Sequence, residues 1–188
     1  ALKDFIAPVP INLTNCGMLT VIKQTDPPGS SETFTFGVNP TAGTTSTFDL
    51  KDADGDPANG EQGVKQITDV QAGSYTITET VPSGWLTPPT IVCTGASTTP
   101  TYLGASATVS VAATSNVVCT FTNTKKPRLT LVKTVTNNSG GAALATAWTL
   151  KADGTGTNDI QGATDSPAVT NVVVDADTFA LSESGGPS

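Results

Sequence analysis

Three residues of unlike chemistry occupy the same place in three apolar patterns. Leu19, Val21 and Lys23 alternate with other residues, as do Tyr75, Ile77 and Glu79, and Cys119, Phe121 and Asn123. Successive side chains of a β-strand point to opposite faces, so each triplet shares a face, and its apolar members mark that face as the inward one. A lysine, a glutamate and an asparagine therefore each end an inward stripe. Lys and Glu are seldom buried without a partner. In one reading they form a buried ion pair with the amide accepting hydrogen bonds, or the strand ends simply reach solvent. In the other they react. Desolvation favours the neutral forms of both Lys23 and Glu79. A neutral amine is a nucleophile, and a protonated Glu79 can hydrogen-bond the Asn123 carboxamide and relay protons. Attack of the Lys23 amine on the Asn123 side-chain carbonyl would form an amide and release ammonia. A carboxamide is inert to amines in water, so enforced proximity has to supply the rate.

The chain repeats part of this pattern. Leu129, Leu131 and Lys133 align with Leu19, Val21 and Lys23, and residues 178–183, ending in Glu183, align with residues 74–79, ending in Glu79. Two units that keep the same awkward pair favour a shared site over strand-end accidents. Leu13-Thr14-Asn15 likewise matches Phe121-Thr122-Asn123. Residues 1–15 thus read as the last strand of a preceding repeat or a leader strand, and 16–124 as one complete unit. Residues 125–127, with Pro127 interrupting strand pairing, read as a linker. Residues 128–188 read as the first part of a second unit, truncated before any counterpart of 85–124.

The elements that must position these residues are strands. The chain has 188 residues, with 18 Gly, 13 Pro and 34 Thr, a composition for strands and turns rather than helices. Apolar alternation predicts strands near 18–25, 32–38, 46–51, 64–69, 74–80, 90–94, 106–112 and 117–123. Turn clusters such as Asp26-Pro27-Pro28-Gly29 and Val81-Pro82-Ser83-Gly84 separate them. The expected class is all-β, a tandem of antiparallel, Ig-like β-sandwiches with the second truncated. There is no His, which removes Ser-His and Cys-His nucleophiles and most zinc chemistry. A net charge of −7 argues against nucleic acid as a partner. No apolar run approaches the ~20 residues of a membrane span.

At this point the sequence resembles the Cna-B-like, prealbumin-like domains of Gram-positive surface proteins and pilins. The first-strand pattern of that family is present as Leu19-Thr20-Val21-Ile22-Lys23, its glutamate strand as residues 75–85 from Tyr75 through Glu79 to Gly84-Trp85, and its last-strand ending as Phe121-Thr122-Asn123. Val81 and Trp85 stand where the family usually has Ala and Tyr. The resemblance implies an autocatalytic isopeptide bond with Lys23 as nucleophile, Asn123 as electrophile and Glu79 as catalyst. Lys133 and Glu183 are the second-unit equivalents, and Asn15 is that of the preceding unit. It also implies an extracellular, cell-surface or wall-attached setting, where disulfides persist. Cys93 and Cys119 are expected to pair; Cys16, at the unit junction, is free or pairs elsewhere. Asp52, Asp54 and Asp56 have the one-three-five spacing of calcium ligands, but Pro57 and Gly63 occupy the places of the required Gly and Glu, so a polar hairpin is the plainer reading and no cofactor is expected.

The function so implied is structural: a stalk, pilus or filament building block that turns over no substrate, with neighbouring repeats or subunits as partners. The alternative is an adhesin module that grips a host or surface ligand through its loops, for which Trp85, Tyr102 and Trp148 are the candidate aromatics. A head-to-tail fibre is a further arrangement, in which one chain donates the strand ending in Asn15 to Lys133 and Glu183 of the next; a stretch of a longer repeat protein is the plainer one.

Overall fold

The computed structural model describes residues 16–52, 63–138 and 140–186. Residues 1–15, including Asn15, lie outside them. The chain divides into two compact units, one closing at Thr124 and the next opening at Lys125.

The first unit is a two-sheet sandwich. Its strands among the described residues are β1 (Cys16–Asp26), β2 (Phe34–Ala42), β3 (Thr45–Leu50), β4 (Val64–Gln71), β5 (Gly73–Thr80), β6 (Thr90–Thr94), β7 (Thr101–Leu103), β8 (Ser106–Val111) and β9 (Asn116–Thr124). One sheet runs β4-β1-β9-β6 and the other β3-β2-β5-β8-β7. The inward residues are those that the alternation marks: Leu19 and Val21 on β1, Phe34, Phe36 and Val38 on β2, Tyr75 and Ile77 on β5, Ala107, Val109 and Val111 on β8, and Val117, Cys119 and Phe121 on β9. Phe36 meets Phe121 edge-on across the sheets, with ring centroids 5.2 Å apart. All eight expected strands form. Strand β7 was not foreseen, because three residues are too few to display a period.

One pairing departs from an all-antiparallel sandwich. Strands β1 and β9, the first and last of the unit, are neighbours and run parallel, with Lys23 opposite Phe121 and Thr25 opposite Asn123. Alternation specifies which face a residue takes but not which way its neighbour runs, so sequence pattern is silent on this point.

Strand β6 is pinned to β9. Cys93 and Cys119 face each other in the register and are disulfide-bonded, as expected. Tyr102, on β7 at the edge of the other sheet, accepts a hydrogen bond from Cys93 N at 3.1 Å. The chain leaves β6 through Gly95, whose φ is +75° and where a Cβ would lie 2.0 Å from Asn116 O; only glycine fits there. Cys16 is free and half-buried. The disulfide bridges a sequence separation of 26, so a Cys93→Ala/Cys119→Ala chain is expected to lose about 3–4 kcal/mol, chiefly through a freer unfolded state. Urea unfolding reads this as a lower midpoint; an unchanged midpoint would show that the bond adds nothing to the sandwich.

The second unit holds β10 (Arg128–Leu129), β11 (Trp148–Asp153), β12 (Ile160–Gly162), β13 (Val172–Val173) and β14 (Ala180–Gly185), with a 3-10 turn at Ala145–Ala147 before β11. Strands β12-β11-β14 form one sheet and β10-β13 a pair. Leu131, Leu150, Ala152, Ile160, Val169 and Val174 pack into a small core. Two expectations fail in detail here. The strand expected to carry Lys133 ends at Leu129; beyond it Leu131 N bonds Val169 O and Lys133 N takes the Thr164 hydroxyl as acceptor. Leu181, expected inward beside Glu183, is 70% exposed. Strand β14 is exposed along its whole length, so alternation there does not mark an inner face.

Candidate cross-linking site

Lys23 and Asn123 are brought together by register. In the parallel β1–β9 pair Lys23 lies opposite Phe121, and Asn123 is two positions further along β9 on the same inward face. Glu79 comes from the facing sheet: on β5 it pairs with Phe36 of β2 and points into the sandwich behind Tyr75 and Ile77. The three stripes read from the sequence thus converge at one end of the core. Lys23 and Asn123 are wholly buried and Glu79 is 3% exposed.

The lysine amine sits in a largely apolar cage. Its Nζ is 4.0 Å from the centroid of the Phe34 ring, and Trp85, from the Gly84-Trp85 turn of the glutamate-strand motif, braces that ring edge-on at 5.2 Å. It donates to Gln24 O and, at 3.4 Å, to Phe121 O. Glu79 Oε1 is 3.7 Å away, an ion-pair distance longer than a hydrogen bond. Burial lowers the Lys23 pKa to about 8, against the pull of the Glu79 charge and then that of Asp52. Burial also raises Glu79 above the usual carboxylate range, opposed by the Lys23 charge and the Asn123 amide. Each shift moves its group toward the form that the amide-forming step requires: a neutral amine and a protonated acid.

Glu79 and Asn123 lie near enough for the amide to act on the acid, yet among the described residues none of their side-chain oxygens or nitrogens makes a hydrogen bond of good geometry. A buried orphan of this kind costs roughly 1–3 kcal/mol, and native cores rarely gather several in one place without a reason. Here they belong to an acid and a carboxamide buried beside the Lys23 amine.

Matches to known families fall on the same boundaries. One family model, described as a prealbumin-like fold domain, matches residues 19–125, and a second of the same description matches residues 125–188. The chain belongs to the prealbumin-like fold domain family. No curated protein matches its sequence. Among solved structures, it is similar to a bacterial adhesin from Mobiluncus mulieris containing intramolecular disulfide, isopeptide and ester bond cross-links, with 19% identity, 59% of this chain and 42% of that one covered, and a TM-score of 0.43. It is also similar to a streptococcal ancillary pilin, with 14% identity, 91% and 50% covered, and a TM-score of 0.38. The chain therefore spans half the length of these proteins or less.

Both prealbumin-like units contain the lysine–glutamate pair, but in different solvents. In the second, Lys133 Nζ binds both oxygens of Glu183, at 2.9 and 2.7 Å, and lies 4.8 Å from the Trp148 ring centroid. The side chains are 20% and 47% exposed, so this is a surface ion pair of small energetic weight rather than a desolvated reactive pair. Asn15, the preceding-unit equivalent that a neighbouring chain would bring to this pair in the fibre arrangement, lies outside the described residues. Of the calcium candidates, Asp54 and Asp56 also lie outside them. Asp52 spends both its oxygens on backbone amides, Thr25 N at 2.7 Å and Gly29 N. Among the described residues no group of three or more metal-ligating side chains assembles. The candidate binding aromatics do not gather either: Trp85 is buried against Phe34 and Trp148 lies beneath Lys133, leaving Tyr102 exposed. Sequence reasoning missed Phe34, whose alternation with Phe36 and Val38 signals only core, and did not foresee the backbone bonds of Asp52.

Proposed function

We propose that the chain is a structural, load-bearing piece of an extracellular surface protein, a stalk, pilus or filament module whose first domain locks itself with a Lys23–Asn123 isopeptide bond. The observation that carries this reading is the burial of Lys23, Glu79 and Asn123 together between the two sheets. In the step, the neutral Lys23 amine adds to Asn123 Cγ while protonated Glu79 donates to the carboxamide oxygen. The tetrahedral centre then collapses: the C–Nδ2 bond breaks, the proton shed by the amine reaches the departing nitrogen through Glu79, and ammonia leaves. One bond forms, one breaks, and Glu79 ends as it began. The event happens once per domain, so the chain is not an enzyme. It needs no cofactor, and its partners are neighbouring repeats or subunits.

Such a bond would have a mechanical role in this topology. Strands β1 and β9 run parallel, so the domain is entered at the start of β1 and left at the end of β9. Tension would pass along residues 16–23, through the Lys23–Asn123 bond, and out past Thr124. Residues 24–122, with the Cys93–Cys119 disulfide among them, would be bypassed. The disulfide then staples edge strand β6, and the isopeptide bond bears the load.

Intact mass tests this reading. The chain with its disulfide reduced should weigh one ammonia less than its sequence requires; a full sequence mass in folded protein would leave an ordinary sandwich with a buried polar triad.

A further inference from the structure

Asp52 occupies the position of a missing strand partner. Strand β4 pairs with β1 only as far as Ile22 opposite Val64, and its last contribution is Gly63 O, which accepts from Lys23 N at 2.8 Å. Amides two residues apart on a strand point to the same edge, so the next donor on that edge is Thr25 N. Among the described residues the β4 side offers it no further carbonyl. Asp52 Oδ1 takes this bond at 2.7 Å, and Oδ2 accepts from Gly29 N across the turn that follows β1. Asp52 follows β3, at the edge of the opposite sheet, so its carboxylate also ties the two sheets at the end where the reactive residues lie. Thr25 is buried, in register with Asn123, and its hydroxyl donates to Pro27 O at 2.9 Å. The amide that Asp52 holds thus belongs to the residue beside the electrophile and two along from the nucleophile.

We propose that Asp52 is the positioning residue of the cross-link, standing in for β4 beyond Lys23 and so holding Lys23 and Asn123 within reach of each other. This rests on the cross-linking reading above. The charged groups facing Lys23 are Glu79 from β5 and Asp52 itself; β2 presents the Phe34 ring, β9 the Phe121 carbonyl and the Asn123 amide, and the segment before β4 the Gly63 carbonyl. The negative charge of Asp52 also helps Lys23 keep its proton, an effect that opposes the reaction. Positioning and charge therefore push the rate in opposite directions and can be told apart.

The test follows ammonia loss by intact mass as the full chain, recovered in denaturant, is refolded at a series of pH values. Formation of the Cys93–Cys119 disulfide serves as the mark of folded molecules. The reactive pair shares one proton between Lys23 and Glu79, so the rate occupies a pH window bounded by two coupled titrations. In Asp52→Asn the best rate is expected to fall about 10- to 100-fold, the effect of a displacement on the order of an ångström, and the window to move to lower pH because a nearby negative charge is gone. Asp52→Glu, which keeps the charge, should return the window to its wild-type place. Absence of ammonia loss in the wild type would overturn the cross-linking reading itself. Ammonia loss in the wild type with Asp52→Asn equally fast would overturn the positioning role alone. A slowed Asp52→Asn with an unmoved window would leave position as the whole of its role, whereas a displaced window without slowing would make Asp52 a charge and not a positioning residue.

Discussion

An Asn123→Ala chain will keep its full sequence mass and unfold about 4–5 kcal/mol more easily than the wild type, the stabilisation that a cross-link closing a loop of about 100 residues supplies. The loop length is that between the two positions to be joined, Lys23 and Asn123. Most of the effect acts on the unfolded chain, which the cross-link would keep from fully extending. Its signature is therefore double. The denaturation midpoint falls, and the slope of free energy against denaturant steepens, because the uncrosslinked chain exposes more surface on unfolding. Removing the Asn123 amide also removes two buried orphan atoms, a small gain that works against the loss. A variant with the wild-type midpoint and slope would mean that no bond joins β1 to β9.

A Glu79→Ala chain is expected to be weaker still. It loses the cross-link, because nothing remains to protonate the carboxamide oxygen or carry the proton to the leaving nitrogen. It also leaves Lys23 wholly buried without its counter-charge, and breaking a buried pair from one side typically costs about 3–5 kcal/mol. The two losses share one site, so they will not add simply to that of Asn123→Ala. Glu79→Gln separates them. It keeps the shape and a hydrogen-bond donor but cannot relay a proton, so its cross-linking should slow by about 10²–10⁴-fold while the fold is largely kept. Time-resolved intact mass alongside urea unfolding reads both quantities. A Glu79→Gln chain that cross-links at the wild-type rate would remove Glu79 from the chemistry and leave it only as a counter-ion.

The inward register of Lys23, Glu79 and Asn123 was legible because strand alternation is local: two residues away, the same face. That rule needs no knowledge of partners, and it placed three side chains on inner faces that the sandwich then closes over. The disulfide followed from the family resemblance and is found between neighbouring strands. Direction was not legible. Nothing in the alternation of residues 117–123 says that β9 lies beside β1 and runs parallel to it, yet that pairing brings Lys23 and Asn123 together. Cover was not legible either. Lys133 repeats the pattern of Lys23 and Glu183 that of Glu79, but whether such a pair is desolvated depends on strands that pack over it, and over residues 128–188 the pair meets solvent. Nor was the role of Asp52 legible: the hairpin reading says nothing of which groups its carboxylate meets, and here it accepts from the backbone amides of Thr25 and Gly29.

The most direct test is proteolysis of the reduced, denatured chain followed by fragment mass analysis. A single branched peptide is expected, joining the segment around Lys23 to the segment around Asn123, one ammonia lighter than the two separate peptides. Recovery of both peptides unlinked and at full mass, from protein whose Cys93–Cys119 disulfide had formed, would contradict the covalent sandwich.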